Sequence, residues 1–413
     1  MPGRTTHSTR VAIIGGGPAG LTAARELAGS GEVLVLERES DLGGIPRHAN
    51  HWGYGVRDLR RVMTGPAYAR QLAREALSAG ATAWTSAMVT GIDGRSLEVT
   101  SPRGVVTVEA DAVVLATGAR ERPRAARRIP GDRPRGVYTT GELQNRVHLH
   151  HREIGKRIVV VGAELVSWSA VLTLRHAGAR AVLMTSSRPA PETYAAVALA
   201  GRVAFGVPVA TDTTVERVIG KGQVEGVEVL DHLSGRRRVV ACDGVVFTAD
   251  WIPDHELAVD LGLELEPASL APRVDTALRT GQPGIFAAGN LLHPVDTADN
   301  AALDGRHVAR SVERWLAGAT EETPGVGLLV EEPLRWMAPG LLRPGDPAPT
   351  RGRYLAWVNE YRRFPTVVAR QAGRVVGRVR TPWPAAPGRV FRIPASVLEG
   401  VDRRGEEVRI SLG

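Results

Sequence analysis

At 413 residues, 43% hydrophobic and 23% charged, the chain is too long for one ordinary core and reads as two or three globular domains. No apolar run approaches the roughly 18 residues needed to span a bilayer, so a membrane partner is excluded. The net charge of +8 rests on arginines spread along the chain, with lysine only at Lys156 and Lys221. The densest basic stretch, Arg120 to Arg135, has no aromatic stacking residues, which argues against nucleic acid.

Met1 to Arg10 lacks the apolar core of a signal peptide, so a cytoplasmic location is expected. The apolar run Arg10 to Ile14 predicts a buried parallel strand, and Gly15-Gly16-Gly17-Pro18-Ala19-Gly20 follows it directly. In such a turn Gly15 permits the bend, Gly17 lets the backbone approach a pyrophosphate, and Gly20 allows close helix–strand packing. Leu21 to Ala28 is the expected helix, with the phosphates on its N-terminus beside Pro18 and Ala19. Val33 to Leu36 is the next strand. Glu37 closes it, placed to accept hydrogen bonds from an adenosine ribose, with Arg38 beside it.

Three later blocks extend the pattern: Asp41-Leu42-Gly43-Gly44, the strand and turn Val113 to Gly118 containing Ala116-Thr117-Gly118, and Gly284 to Asn290 ending in Gly289-Asn290. With the first glycine turn they resemble the FAD/NAD(P) flavoprotein oxidoreductases with two dinucleotide-binding domains, the broad family of thioredoxin and glutathione reductases. The resemblance covers Val11 to roughly Arg310 and implies FAD as cofactor. It also implies that Gly43 and Gly44 pass the flavin pyrophosphate and ribityl chain. Asn290 stands where relatives usually carry an aspartate that binds that chain; an amide can still hydrogen-bond a hydroxyl. Asp296 to Asn300 opens a helix whose N-terminus, by family geometry, points at the flavin pyrimidine edge, bringing in Thr297 and Ala298. The acids there serve equally as helix caps.

Arg157 to Val161 predicts a second buried strand, and Gly162-Ala163-Glu164-Leu165-Val166-Ser167 stands where relatives carry the NAD(P)H glycine motif. Glu164 occupies the second glycine position, where a carboxylate would face a pyrophosphate. NAD(P)H is therefore left open as a second cofactor. Arg188, at the end of the following strand, either meets a 2′-phosphate or is a solvated loop arginine.

Disulfide reductases of the family need two redox cysteines, and Cys242 is the only cysteine here, so dithiol chemistry is not expected. After Gly44 comes Ile45-Pro46-Arg47-His48-Ala49-Asn50-His51-Trp52-Gly53-Tyr54-Gly55, which resembles the corresponding stretch in flavoprotein subunits associated with amino-acid, opine and glycerol-phosphate dehydrogenases. Arg47 is a candidate to hold a substrate carboxylate or flavin phosphate, and His48 and His51 are candidates to move a proton. The three also suit ordering of the loop. His148, His150 and His151 lack a Cys or acid at ligand spacing, and no metal site is expected.

Beyond a linker over Glu321 to Gly327, short alternating runs separated by Gly and Pro turns suggest a β-sandwich-like module. The expected class is α/β, with two Rossmann-like three-layer domains and a small C-terminal all-β module. A discontinuous FAD domain is placed over 10–120 and 246–318, an NAD(P)-binding-like domain over 121–245, and the β module over 326–413. The leading functional expectation is hydride exchange between flavin and a small molecule or NAD(P)H. One alternative is an FAD subunit of an amine or amino-acid dehydrogenase passing electrons to a partner. A redox-silent FAD-binding interaction protein is the other. A small-molecule substrate is expected as partner, with an electron-acceptor protein or a homodimer open.

Overall fold

The computed structural model describes residues 5–319 and 324–413. Met1 to Arg4 of the N-terminal reading and Glu321 to Thr323 of the linker reading lie outside the described residues. No helix among the described residues is long and apolar enough to cross a membrane. The chain separates into two compact units, Met1–Arg47 with Gly53–Ala119 and Pro253–Gly413, and His48–Trp52 with Arg120–Ile252.

In the first unit, β1 (Thr5–Ile14) is followed by α1 (Pro18–Leu27) and β2 (Val33–Leu36). Helix α1 starts at Pro18, ahead of the expected Leu21, because proline presets the helical φ and its missing N–H costs nothing in the first turn. Next come α2 (Gly65–Ser78), β3 (Thr82–Trp84), β4 (Met88–Asp93), β5 (Ser96–Ser101) and β6 (Gly104–Leu115). They build a sheet in the order β3-β2-β1-β6-β5-β4. Strand β1 pairs in parallel with β2 on one edge and β6 on the other, and Val11, Ala12 and Ile13, which alternate between the two faces of the sheet, are all buried, which is why that run is continuously apolar. Each fully buried Val, Leu or Ile contributes about 1.5–3 kcal/mol.

The second unit has a parallel sheet made of β7 (Val137–Thr139), β8 (Arg157–Val161), β9 (Arg180–Thr185), β10 (Val209–Ala210) and β14 (Gly244–Phe247), in the order β7-β14-β8-β9-β10. Helix α3 (Thr140–Gln144) follows β7, and α4 (Leu165–His176) follows β8. Strands β11 (Thr213–Ile219), β12 (Gly226–Asp231) and β13 (Arg237–Ala241) form an antiparallel sheet between β10 and β14 in sequence.

Back in the first unit, β15 (Ile285–Ala287) pairs in parallel with Val113–Leu115 of β6 and leads to α5 (Ala298–Leu316). Residues 326–413 group with this unit while keeping a core of their own that includes Tyr354, Phe391, Ile393 and Ile410. One sheet there joins β18 (Leu341–Leu342), β16 (Val326–Val330), β23 (Val408–Leu412), β20 (Thr366–Gln371) and β21 (Arg374–Arg380). The other joins β17 (Leu334–Ala338), β19 (Arg353–Val358) and β22 (Phe391–Pro394).

Candidate functional site

Strand β1 delivers the chain into a turn that the neighbouring backbone restricts to glycine at two points. A Cβ on Gly15, whose φ is +110°, would lie 2.3 Å from the Ala116 carbonyl oxygen, and one on Gly20 would lie 2.0 Å from the Gly15 oxygen. Gly17, the N-cap of α1, is different: a Cβ there would meet nothing nearer than Gly44 Cα at 4.0 Å, and no side chain caps the helix. The α1 N-terminus is thus left bare, with N–H groups and the positive end of the helix dipole available to an anion.

The other predicted glycines gather around this turn. Gly43 N–H donates to the Gly16 oxygen at 2.7 Å, and Gly44 packs on Gly17. Gly289 sits against Ala19 and donates through its N–H to Asp304 Oδ2 at 3.3 Å. Glu37 is buried; its carboxylate accepts from the N–H groups of Gly16 at 2.7 Å and Glu39 at 2.8 Å, while burial pushes its pKa up. Arg38 pairs with Asp254 at 3.1 Å, and Thr117 Oγ1 donates to the Asp254 carbonyl at 2.7 Å, tying the turn ending at Gly118 to that segment. Thr297 is the N-cap of α5 and Ala298 its first residue.

Asn290 Nδ2 donates to the Asp296 carbonyl at 3.0 Å, whereas its Oδ1 is buried with no hydrogen-bond partner among the described residues. A buried orphan acceptor is costly unless a ligand satisfies it. These residues fit FAD: Glu37 for ribose hydroxyls, the α1 N-terminus for the pyrophosphate, and Asn290 Oδ1 for a ribityl hydroxyl.

Arg47 binds the Asp41 carboxylate at 2.9 Å and the Asp41 carbonyl at 3.1 Å, bracing the loop that carries Gly43 and Gly44. His48 and His51 belong to the second unit. There His48 Nδ1 lies 3.1 Å from Gln144 Oε1, Gln144 Nε2 donates to Ser169 Oγ at 2.8 Å, and Ser169 Oγ lies 2.7 Å from His51 Nε2. His51 Nδ1 lies 3.0 Å from the Trp52 carbonyl. The polarity of this chain is fixed at its two ends. Gln144 Oε1 can only accept, so His48 carries its proton on Nδ1. The Trp52 carbonyl can only accept, so His51 carries its proton on Nδ1 and, in the neutral ring, Nε2 accepts from the Ser169 hydroxyl. Desolvation lowers the His51 pKa and keeps that ring neutral.

Sequence reasoning missed three side chains. Asp299, read only as a possible cap, is buried and accepts from the Gly55 N–H at 2.7 Å and the Arg57 N–H at 3.0 Å, pinning the loop that follows the histidines. Gln144 and Ser169 carried no local signal, since their partners lie 96 and 118 residues away.

In the second unit Gly162 repeats the Gly15 geometry, with φ +118° and a virtual Cβ 2.2 Å from Thr248 Oγ1. Glu164 is the N-cap of α4 with φ −83° and ψ −179°, against −83° and −174° at Gly17, so a glutamate stands on the backbone that is bare in the first unit. Glu164 N–H donates to Ser167 Oγ at 3.1 Å, and Ser167 Oγ meets Thr248 Oγ1 at 2.6 Å. Loss of solvation, then Glu192 and Glu121, push the Glu164 pKa well above the usual carboxyl value, against Arg127 and Arg188. Arg188 lies 3.6 Å from Glu192, so it is an ion-paired arginine.

Residues 9–305 match the family described as pyridine nucleotide-disulphide oxidoreductase. The chain is 28% identical over 313 residues to a thioredoxin reductase of Treponema pallidum, covering 73% of this chain and 96% of that one. It is 28% identical to an opine oxidase subunit of Rhizobium meliloti, covering 68% and 58% respectively. The structure of T. acidophilum thioredoxin reductase superposes with a TM-score of 0.63 at 21% identity, over 74% of this chain and 98% of that one, which shows the fold. The two-domain α/β architecture, the glycine cradle and these matches agree: the chain belongs to the pyridine nucleotide-disulphide oxidoreductase family and is an FAD-dependent oxidoreductase.

Proposed function

We propose that this oxidoreductase takes a hydride from a small molecule and passes the electrons to a partner protein, using neither a dithiol nor a nicotinamide nucleotide. The observation that carries the reading is Glu164. A side chain fills the position that glycine leaves open at Gly17 and takes up the space at the α4 N-terminus where a pyrophosphate would approach. The single cysteine, Cys242, is buried, and burial raises its thiol pKa to about 11, which suits a packing residue and not a redox centre. The similarity to the opine oxidase protein of Rhizobium meliloti supports the partner-coupled form. A cytoplasmic location belongs to the same reading.

When bound, FAD supplies a ring that accepts a hydride. The chain's own groups hold and orient it: Glu37, the α1 N-terminus and Asn290 bind, while Arg47 fixes the loop of Gly43 and Gly44. Arg47 is thereby assigned to cofactor support, held by Asp41. The proton-moving role is kept for His48, whose Nδ1 proton is directed at Gln144. His51, neutral and held at both nitrogens, positions Ser169 and Gln144.

The test is to add NADH, NADPH, or a panel of amines and amino acids to the anaerobic FAD-loaded protein while following flavin absorbance. Bleaching by a small molecule and by neither nucleotide is the expected result. Rapid bleaching by either nucleotide would sink the proposal.

A further inference from the structure

Strand β19 alternates, with Tyr354, Ala356 and Val358 in the core of the C-terminal module and Arg353 and Leu355 on the other face. Antiparallel pairing places Arg392 of β22 opposite Leu355, so Arg353, Leu355 and Arg392 share that face. With Arg351 they line a small cleft open to solvent, whose other wall is Asp296 and Asn300 at the start of α5.

The charges in this cleft are not matched. Arg351, Arg353 and Arg392 face two acids, and Asp304 is already taken by His293 at 2.5 Å. Asp296 Oδ1 accepts from the Thr297 N–H at 2.7 Å and from Asn300 Nδ2 at 2.7 Å. Arg392 Nη2 stops at 3.6 Å from that oxygen, beyond hydrogen-bond range. The Asp296 side chain is 2% exposed and its Oδ2 has no hydrogen-bond partner among the described residues. Burial and repulsion from Arg57, Arg392 and Arg353 depress the Arg351 pKa, the mark of guanidinium groups crowded together. A plain ion-pair contact between module and helix would have closed Arg392 onto Asp296 and used both oxygens. Arg351 Nη1 donates to Asn300 Oδ1 at 2.8 Å and Arg353 lies over the Trp383 ring, so what remains is the other donors of Arg351 and those of Arg392 beside one buried acceptor.

We propose that this cleft binds a small molecule carrying one oxyanion, a carboxylate or phosphate, together with a hydroxyl or ammonium group. The oxyanion sits on Arg351 and Arg392, and the hydroxyl or ammonium donates to Asp296 Oδ2. The C-terminal module is then part of a ligand site and supplies its guanidinium groups.

The test is calorimetric titration of the FAD-loaded full chain with acetate, glycolate, glycine, inorganic phosphate, phosphoethanolamine and methylammonium. Glycolate and glycine, or phosphoethanolamine, are expected to bind about tenfold more tightly than acetate or inorganic phosphate respectively, and methylammonium not to bind. The better pair tells carboxylate from phosphate. Arg351→Gln and Arg392→Gln should each weaken the preferred probe about tenfold or more with unchanged FAD content. Asp296→Asn should remove the preference for the donor-bearing probe and keep affinity for the oxyanion. Three results would overturn the proposal: no binding at tens of millimolar, unaltered binding in both arginine variants, or equal affinity for acetate and glycolate and for the two phosphates. Binding is read without turnover, so failure here and failure of the proposed reaction are separate results.

Discussion

Replacing Glu121 by Gln should make the second unit more stable in alkaline solution and leave it unchanged in acid. Glu121 is 6% exposed, and its Oε2 accepts from the Gly141 N–H at 3.0 Å, a bond that a glutamine oxygen can also accept. Burial is the largest influence on the carboxyl group and raises its pKa from 4.5 to about 7, against smaller opposing effects from Thr140, Gly141 and Arg127. A group whose folded pKa is raised binds its proton more tightly in the folded state, so its stabilising contribution is complete below pH 4.5 and is lost as pH rises through about 7. The size of that loss follows from the two pKa values and is about 3 kcal/mol. Glutamine mimics the protonated acid at every pH. Thermal melts should therefore coincide at about pH 4 and separate at about pH 8.5, with the variant melting roughly 10 °C higher. A difference that is the same at both pH values, or a variant less stable at the higher one, would refute the reasoning.

Gly17→Ala should fold and lose FAD, because a methyl group there meets only Gly44 Cα at 4.0 Å yet occupies the phosphate approach; retention of FAD would contradict it. Gly20→Ala, with its Cβ 2.0 Å from the Gly15 oxygen, should fail to give folded protein, checked by circular dichroism and soluble yield. Asn290→Ala removes the orphan acceptor and should weaken FAD about tenfold in an equilibrium dialysis measurement, with the melting curve of the FAD-free protein little altered. Asp299→Ala leaves the N–H groups of Gly55 and Arg57 without their acceptor, at about 1–3 kcal/mol each, and should speed trypsin cleavage at Arg57, Arg60 or Arg61. Equal cleavage rates would remove Asp299 from the loop's support.

What was legible in the sequence was local. The run Val11 to Ile14 reads as a buried parallel strand because its residues are buried on both faces of the sheet, and Gly20 reads as part of the turn because its clash is with Gly15 of the same motif, whereas the clash that restricts Gly15 is with Ala116 of a later block. Glu164 was legible too, since position within the motif marks it as an intruder. Counting from the last glycine places the start of α1 three residues late, because Pro18 is the residue whose ring fixes the first helical φ. Asp299 was not legible as a loop anchor: its partners Gly55 and Arg57 are 244 and 242 residues away, and an acid at a helix start already has a sufficient local explanation. The cleft of Arg351, Arg353 and Arg392 depends on the register that sets Leu355 opposite Arg392, which alternation within either strand does not define.

The two dinucleotide folds in this chain can be compared at a single backbone position. Gly17 and Glu164 both sit at the N-cap of the helix after the first strand, with φ −83° at each and ψ within a few degrees of extended. Neither conformation requires glycine, because a negative φ with extended ψ is open to any residue. Glycine at 17 is therefore there for space, and glutamate at 164 replaces that space with a side chain. The cost of the replacement is visible in the raised pKa of Glu164 among Glu121 and Glu192. Glu164→Gly, which restores the bare helix end, should accordingly strengthen NADH or NADPH binding, read by equilibrium titration of the nucleotide. If nucleotide affinity is unchanged, exclusion of the nicotinamide nucleotide must come from elsewhere in the second unit.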